Sequence, residues 1–380
     1  MEKTFSFLRA VERLKTMPKT GLVLMGVKDP ETIADHIFFT MLNLWILTKE
    51  KKFFSGNLLK VALIHDLGEV YAGDQTPFFY WDGLDIKKKE ERKILLQGVR
   101  LSLKERRKRA FLKFKKEKDS LLRLISFLPF SLKKEIFSLW LGFTKGKFSF
   151  VKQVDRLETL LQSIFYLGTD PQEAGTSWLE GTEEVVHDPF LVDFLAVIKK
   201  NFYKTKEEIS PKKEKRLKGI LDFLMRIKEE RQRQYHIWKK RKEGEMVSWH
   251  IFMLSIFCFL FYHFKDIKKE KLIEMAMFSH LPYFLLGFFS EEENYFLKKF
   301  SFLEKDFFLE NFKKEKKALE VLTTPLPFSI KKEIFRVWQE AILQKTRESL
   351  LFNQIHLLYH FYRFLIFKNE KKHFFKNERI

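Results

Sequence analysis

An all-α fold is predicted by three features of this sequence: few turn residues, apolar residues at helical spacing, and a long internal repeat. The 380 residues include only 15 Gly and 10 Pro, too little turn chemistry to close the many hairpins of an all-β fold. Apolar residues make up 45%, enough for sizeable cores, which excludes wholesale disorder. At roughly 150 residues per domain the length suggests about two domains. Apolar positions recur at i, i+3, i+4 and i+7, as in Leu42, Trp45 and Ile46 and again in Leu157, Leu160, Leu161 and Ile164, the pattern of helices with a buried face. Breaks fall at Gly26-Val27-Lys28-Asp29-Pro30 and Gly73-Asp74-Gln75-Thr76-Pro77, where turn residues cluster. Only Gly21 to Met25 carries a trace of period-2 alternation.

The repeat sets the domain organisation. Residues 128–140 read LPFSLKKEIFSLW and residues 326–338 read LPFSIKKEIFRVW, with ten of thirteen positions identical. The match extends outwards. Phe7-Leu8 aligns with Phe223-Leu224. DHIFFTMLNLWIL (35–47) aligns with WHIFMLSIFCFLF (249–261), placing His36 on His250. The same offset of 214 lays VALIHDLGEVYAG (61–73) on MAMFSHLPYFLLG (275–287). A tandem duplication is expected, with a first domain over 1–203, a charged linker over 204–218 and a second domain over 219–380.

Chemistry concentrates in the first copy. His36 stands in the first turn of an apolar helix. His65-Asp66 follows the apolar run Val61-Ala62-Leu63-Ile64, with Glu69 at i+4 from His65, and Asp155 interrupts the core-facing positions Val151, Val154 and Leu157. An imidazole and a carboxylate at the end of an apolar helix are costly to bury without partners. Two His and two Asp converging on one interior point form an N/O ligand set suited to Mn²⁺, Fe²⁺, Co²⁺ or Zn²⁺. A lone inward His is more often a satisfied core residue, and His187-Asp188, before Pro189, reads as a loop or cap and is assigned no role. The ordered combination is what singles out the first copy. The single cysteine, Cys258, excludes an internal disulfide framework and a Cys-cluster zinc site.

The series His36, His65-Asp66 and Asp155 resembles the H…HD…D pattern of the HD-domain metal-dependent phosphohydrolases. FLRAVERLKTMPKTG, PETIADH, LIHDLGEVYAGDQTP and FVKQVDRLETLLQ, spread over about residues 5–168, are similar to the HD-domain 5′-deoxynucleotidases. The resemblance implies that His36, His65, Asp66 and Asp155 hold one divalent ion (Mn, Co, Fe, Zn or Mg). It further implies that Glu69 and Asp74 are the catalytic acids and that Lys19, Thr76 and Pro77 contact substrate. The activity so implied is hydrolysis of nucleoside, chiefly deoxynucleoside, 5′-monophosphates to nucleoside and phosphate. Relatives carry an Arg and a Trp where this chain has Lys19 and Leu22. Lys19 keeps a cation without bidentate phosphate geometry, and Leu22 removes an aromatic. An HD phosphohydrolase acting on another phosphorylated metabolite, and a non-catalytic HD protein that binds nucleotide or nucleic acid, are the alternatives.

In the second copy Ser279-His280 falls on His65-Asp66, Tyr283 on Glu69, Phe288 on Asp74 and His356 on Asp155. Every ligand carboxylate is lost. A degenerate domain retained for packing is expected, forming an intramolecular pseudo-dimer with the first; a three-histidine zinc site of His250, His280 and His356 is the alternative. Net charge is +21, and residues 86–118 alone hold 15 Lys/Arg against four Glu. That stretch reads either as a footprint for nucleic acid or anionic substrate or as a solvated helix face with Phe111, Leu112 and Phe114 turned inward. The N-terminus lacks a signal-peptide apolar region, and the longest apolar run, 251–264, is too short to span a bilayer. A cytoplasmic protein with no membrane partner is expected.

Overall fold

In the computed structural model, residues 2–75, 102–169, 177–241, 244–261, 267–287 and 305–377 are described. Among them no strand forms; the one β-type contact is an isolated antiparallel bridge between Pro18 and Thr32. The first half comprises α1 (Glu2–Glu12), α2 (Thr20–Leu24), α3 (Ile33–Glu50), α4 (Gly56–Ile64), α5 (Glu69–Ala72), α6 (Leu103–Ile125), α7 (Phe130–Thr144), α8 (Ser149–Leu167), α9 (Ser177–Glu183) and α10 (Pro189–Ile198). The second comprises α11 (Pro211–Arg241), α12 (Val247–Leu260), α13 (Lys269–Ser279), α14 (Tyr283–Leu286), α15 (Lys305–Leu322), α16 (Phe328–Leu343) and α17 (Arg347–Asn377). From α12 to α17 the helices follow one another in the order of α3 to α8. Residues 204–210 connect the halves, and 211–218 already form the first two turns of α11.

Gly21 to Met25, with its trace of alternation, is helical in α2. Leu22 and Val23 both donate to the Lys19 carbonyl, at 3.1 and 3.2 Å. With no strand alongside to accept a ladder, local hydrogen bonds decide the conformation.

α3 opens with a capping box. The Thr32 hydroxyl accepts from the Asp35 amide at 3.2 Å while the Asp35 carboxylate accepts from the Thr32 amide at 2.9 Å, satisfying two of the helix's orphan donors. From Ile33 to Thr48 every residue is buried, and so is all of α12. Helices that are apolar all round must be enclosed on every side. These two pack on each other, with α4 against α13 beside them, and a single apolar core runs through both halves. Trp45 on α3 lies against Phe278 on α13, ring centroids 4.4 Å apart, and its indole N–H donates to Glu274 at 3.1 Å.

A buried ionic cluster crosses this core. Lys228 of α11 donates to Glu31 at 2.9 Å and to Glu158 of α8 at 2.8 Å, and Gln162 donates to Glu31 at 2.8 Å. Arg231, one turn on, pairs with Asp35, which also accepts from Ser248 of α12 at 2.5 Å. The exchange runs the other way too: Lys15 donates to Glu245, just ahead of α12, at 2.6 Å.

Of the basic stretch, residues 102–118 fall on α6 and 86–101 lie outside the described residues. Phe114 stacks on Trp140 of α7 at 5.6 Å, but Phe111 and Leu112 are 65% and 46% exposed. The expected inward stripe therefore holds only at Phe114, because one helix face alone meets α7. No helix among the described residues is long and apolar enough to cross a membrane.

Replacing Lys228 with Met would leave Glu31 and Glu158 as buried, uncompensated charges. Removing one partner of such a pair costs about 3–5 kcal/mol. Thermal unfolding of Lys228→Met is expected to show a loss of that order; a Tm within a degree or two of wild type would contradict it.

Candidate active site

Three short pieces of backbone build the site. The first turn of α3 points His36 inward, where it is 1% exposed. The α4 helix ends at Ile64, and residues 65–68 form a turn before α5 starts at Glu69. His65 and Glu69 therefore do not share one continuous helix face as the spacing suggests; the turn instead folds His65, Asp66 and Glu69 round a common point. α8 brings Asp155 from the far side. The turn is tight against α6: a Cβ on Gly68 would stand 2.9 Å from the Glu117 carbonyl oxygen, so only glycine lets α6 approach so closely.

His36 Nε2 lies 2.9 Å from Asp155 Oδ1 and 3.5 Å from Asp66 Oδ2. His65 Nε2 lies 3.4 Å from Asp66 Oδ2 and 3.7 Å from Asp155 Oδ1. Ligand atoms of His36, His65 and Asp155 all fall within 4.8 Å of one another. Each imidazole is set by its other nitrogen. His65 Nδ1 donates to the Ala62 carbonyl at 2.8 Å, which fixes the tautomer with its lone pair on Nε2. That Nε2 is buried and makes no hydrogen bond among the described residues. His36 Nδ1 is held by Glu158, the carboxylate–histidine arrangement that orients metal ligands. An orphaned, inward lone pair beside two carboxylates fits a divalent cation, and a hard/borderline N₂O₂ donor set is what such ions take.

The electrostatics agree. Burial works against a charged His36, yet Glu158 and Asp155 hold its pKa up at about 10. Burial likewise opposes protonation of His65, but Asp66 and Asp155 raise it. Against the cost of burial, His65 and Lys19 draw Asp66 down to about 2, and His36, 2.9 Å away, together with the nearby His65 holds Asp155 well below the usual carboxylate range. The carboxylates thus favour positive charge at their centre.

Glu69 is 1% exposed. Burial first, then the charges of Asp66 and Asp74, push its carboxyl well above the usual range. Asp74 accepts from the Thr20 amide at 2.7 Å. Lys19 stands amid the acids, 3.4 Å from Asp66, 3.5 Å from Asp74 and 3.8 Å from Glu69. Leu22 is fully buried, while Trp178 of α9 packs on Gly21 next to it, close enough that a Cβ there would meet the ring at 2.7 Å. Thr76 and Pro77 lie outside the described residues. His187-Asp188 behaves as a cap: Asp188 accepts from the Phe190 amide at 3.0 Å at the start of α10.

Three residues escaped the sequence reading. Glu158 stands at i+3 from Asp155, on one helix face, and that spacing was legible in Asp155-Arg156-Leu157-Glu158. Lys113, inside the basic stretch, donates to the Gln75 carbonyl at 2.8 Å and lies 3.8 Å from Glu69. Lys228 belongs to the other half, and no local signal connects it to the site.

A helical site in which His36, His65 and Asp155 could hold a metal ion points to the class: the chain belongs to the HD-domain family. The HD domain profile matches residues 11–188. More particularly, the chain is similar to the 5′-deoxynucleotidase HDDC2 of Dictyostelium discoideum, 30% identical over 176 residues, which is 44% of this chain and 78% of the relative. It is also similar to the human 5′-deoxynucleotidase HDDC2, 29% identical over 163 residues (42% of this chain and 66% of the relative). The 5′-deoxynucleotidase hdd1 of Schizosaccharomyces pombe is 29% identical over 160 residues, 42% of this chain and 70% of that protein. The chain thus spans about two thirds of the length of such curated relatives.

Glu158→Gln keeps the shape of the side chain and removes its charge. Loss of such a supporting partner is expected to weaken Mn²⁺ or Co²⁺ binding about 10–100-fold. Isothermal titration is expected to show proton release on binding, with affinity strengthening as pH rises, because ions displace imidazole protons. Unchanged affinity in Glu158→Gln would contradict the assignment.

Proposed function

We propose that the first half is a divalent-metal-dependent phosphomonoesterase acting on nucleoside 5′-monophosphates, with deoxynucleotides preferred. One observation carries the reading: His36, His65, Asp66, Asp155, Glu69 and Lys19 share one buried site, and the matched relatives are named 5′-deoxynucleotidases. His36, His65, Asp66 and Asp155 would hold the cation, which supplies Lewis acidity and a lowered water pKa.

The chain's own groups account for the remaining steps. Lys19 balances the acids around it and offers positive charge to the incoming phosphate. Asp74, fixed by the Thr20 amide, orients the attacking water. Glu69 is assigned the proton donor, since burial and the charges of Asp66 and Asp74 push its carboxyl well above the usual range while Asp66 and Asp155 are held low. As the water oxygen bonds to phosphorus, the P–O5′ bond breaks. The departing 5′-oxygen takes the proton from Glu69, leaving nucleoside and phosphate.

The second half lacks a carboxylate at the positions of Asp66, Asp155 and Glu69, so the chemistry is assigned to the first. We infer that the second half takes the place of a partner subunit. The shared core and the reciprocal loan of lysines, Lys228 to Glu31 and Lys15 to Glu245, support this.

Phosphate release from a panel of nucleotides and other phosphate esters, with Mn²⁺, Co²⁺, Mg²⁺ or Zn²⁺, tests the reading. Deoxynucleoside monophosphates are expected to be hydrolysed by wild type and not by Asp66→Ala. Glu69→Gln is expected to lower kcat about 10²–10⁴-fold. Release confined to other esters would reassign the substrate, and no release from any would refute the enzyme.

A further inference from the structure

The second half carries a histidine cluster that its lost carboxylates do not foretell. His250 in the first turn of α12 is fully buried, and His280 and His356 are 3% and 5% exposed. His360, one turn beyond His356 on α17, is half-buried. Ligand nitrogens of His250, His356 and His360 fall within 4.8 Å of one another. His356 and His360 face each other Nε2 to Nε2 at 2.8 Å. The His280 ring packs over this group, its centroid 4.3 Å from His250 and 4.7 Å from His356.

This cluster is organised in the manner of the first site, by substitution in register. With the offset of 201 that lays Asp155 on His356, Glu158 falls on Tyr359, Thr159 on His360 and Gln162 on Arg363. Glu31 falls on Glu245 by the offset of 214 that relates His36 to His250. Gln162 donates to Glu31 in the first half, and Arg363 lies 3.2 Å from Glu245 in the second. Glu245 reaches His250 Nδ1 at 3.2 Å, as Glu158 reaches His36 Nδ1. Tyr359 occupies the Glu158 position and donates to Glu245 at 2.7 Å. A buried carboxylate thus still orients the first-turn histidine, and the nitrogen a metal would take on His250 is Nε2.

We propose that His250, His356 and His360 form a second metal site, a three-histidine centre for Zn²⁺ or a similar borderline dication, with His280 covering its fourth position. Neutral imidazoles suit such ions, and a His-x-x-x-His pair on one helix is a common zinc-binding spacing. Tetrahedral Zn–N bonds of about 2.0–2.1 Å put neighbouring nitrogens about 3.3 Å apart, so the 2.8 Å pair opens by a few tenths of an ångström on binding. With Tyr283 where Glu69 stands, the carboxyl assigned as proton donor in the first half has no counterpart in register. The role is therefore to pin the last helix, α17, to the central helix α12. The sequence pointed to His280 as the third ligand; His360 was hidden because its counterpart, Thr159, has no metal role.

The test uses the full chain stripped with a chelator and then equilibrated with Zn²⁺, with bound metal measured by mass spectrometry. Two ions per chain are expected in wild type. One is expected in Asp66→Ala, and one in either His356→Ala or His360→Ala. Cobalt substitution in Asp66→Ala is expected to give tetrahedral d–d absorption that His360→Ala abolishes. His360 is half-buried, so His360→Ala keeps the test open if His356→Ala fails to fold, as judged by circular dichroism. One ion or fewer in wild type would overturn the proposal. A second ion retained in the folded histidine variants would overturn it equally.

Discussion

Glu158 is held between His36 on one side and Lys228 on the other, and the arrangement of the interior depends on that bridge. A carboxylate with no solvent exposure is tolerable only when its charge is met. Lys228 meets it from the second half of the chain. Burial alone would raise the Glu158 pKa; Lys228 and His36 outweigh this and hold it below the usual value. The ionised carboxylate then fixes the His36 ring, and the ring presents Nε2 to Asp66 and Asp155. A chain of charge thus runs from α11 through α8 to the metal-ligand set.

This bridge explains why the two halves are not separable modules. α3 and α12 are buried on every face and pack on each other. The ionic exchange gives that shared core a fixed register, since Lys228 and Arg231 reach Glu31, Glu158 and Asp35 from one helix face. In the opposite direction, Lys15 meets Glu245, which Arg363 of the second half also holds. In the register of the internal repeat, Glu245 falls on Glu31, while His280 and His356 fall on Asp66 and Asp155. A buried carboxylate reaches Nδ1 of the first-turn histidine in both halves.

Much of this was written locally. Helical periodicity, scarce Gly and Pro, and the LPFS repeat predicted an all-α chain with two similar halves, because helices report their period within a few turns. That His36, His65 and Asp155 come together in the interior was foreshadowed by ionisable residues interrupting otherwise apolar runs. What stayed hidden depended on distance through space. Lys228 looks like an ordinary member of a charged helix, and only the packing of α11 makes it a buried cation. Phe111 and Leu112 look like core residues by spacing, yet α6 presents them to solvent. His360 acquires its neighbours only when α17 lies along α12.

The central claim is that a lysine from one half sets the metal site of the other through Glu158. A double-mutant cycle in metal affinity tests it directly, with Lys228→Met, Glu158→Gln and the double variant each titrated with Mn²⁺ at a temperature where all remain folded. Interacting residues of this kind show non-additive effects. Each single variant is predicted to weaken binding, with the double variant losing little beyond Glu158→Gln alone. Affinity in Lys228→Met equal to wild type, or losses that simply add, would show that the halves share a core without sharing the site.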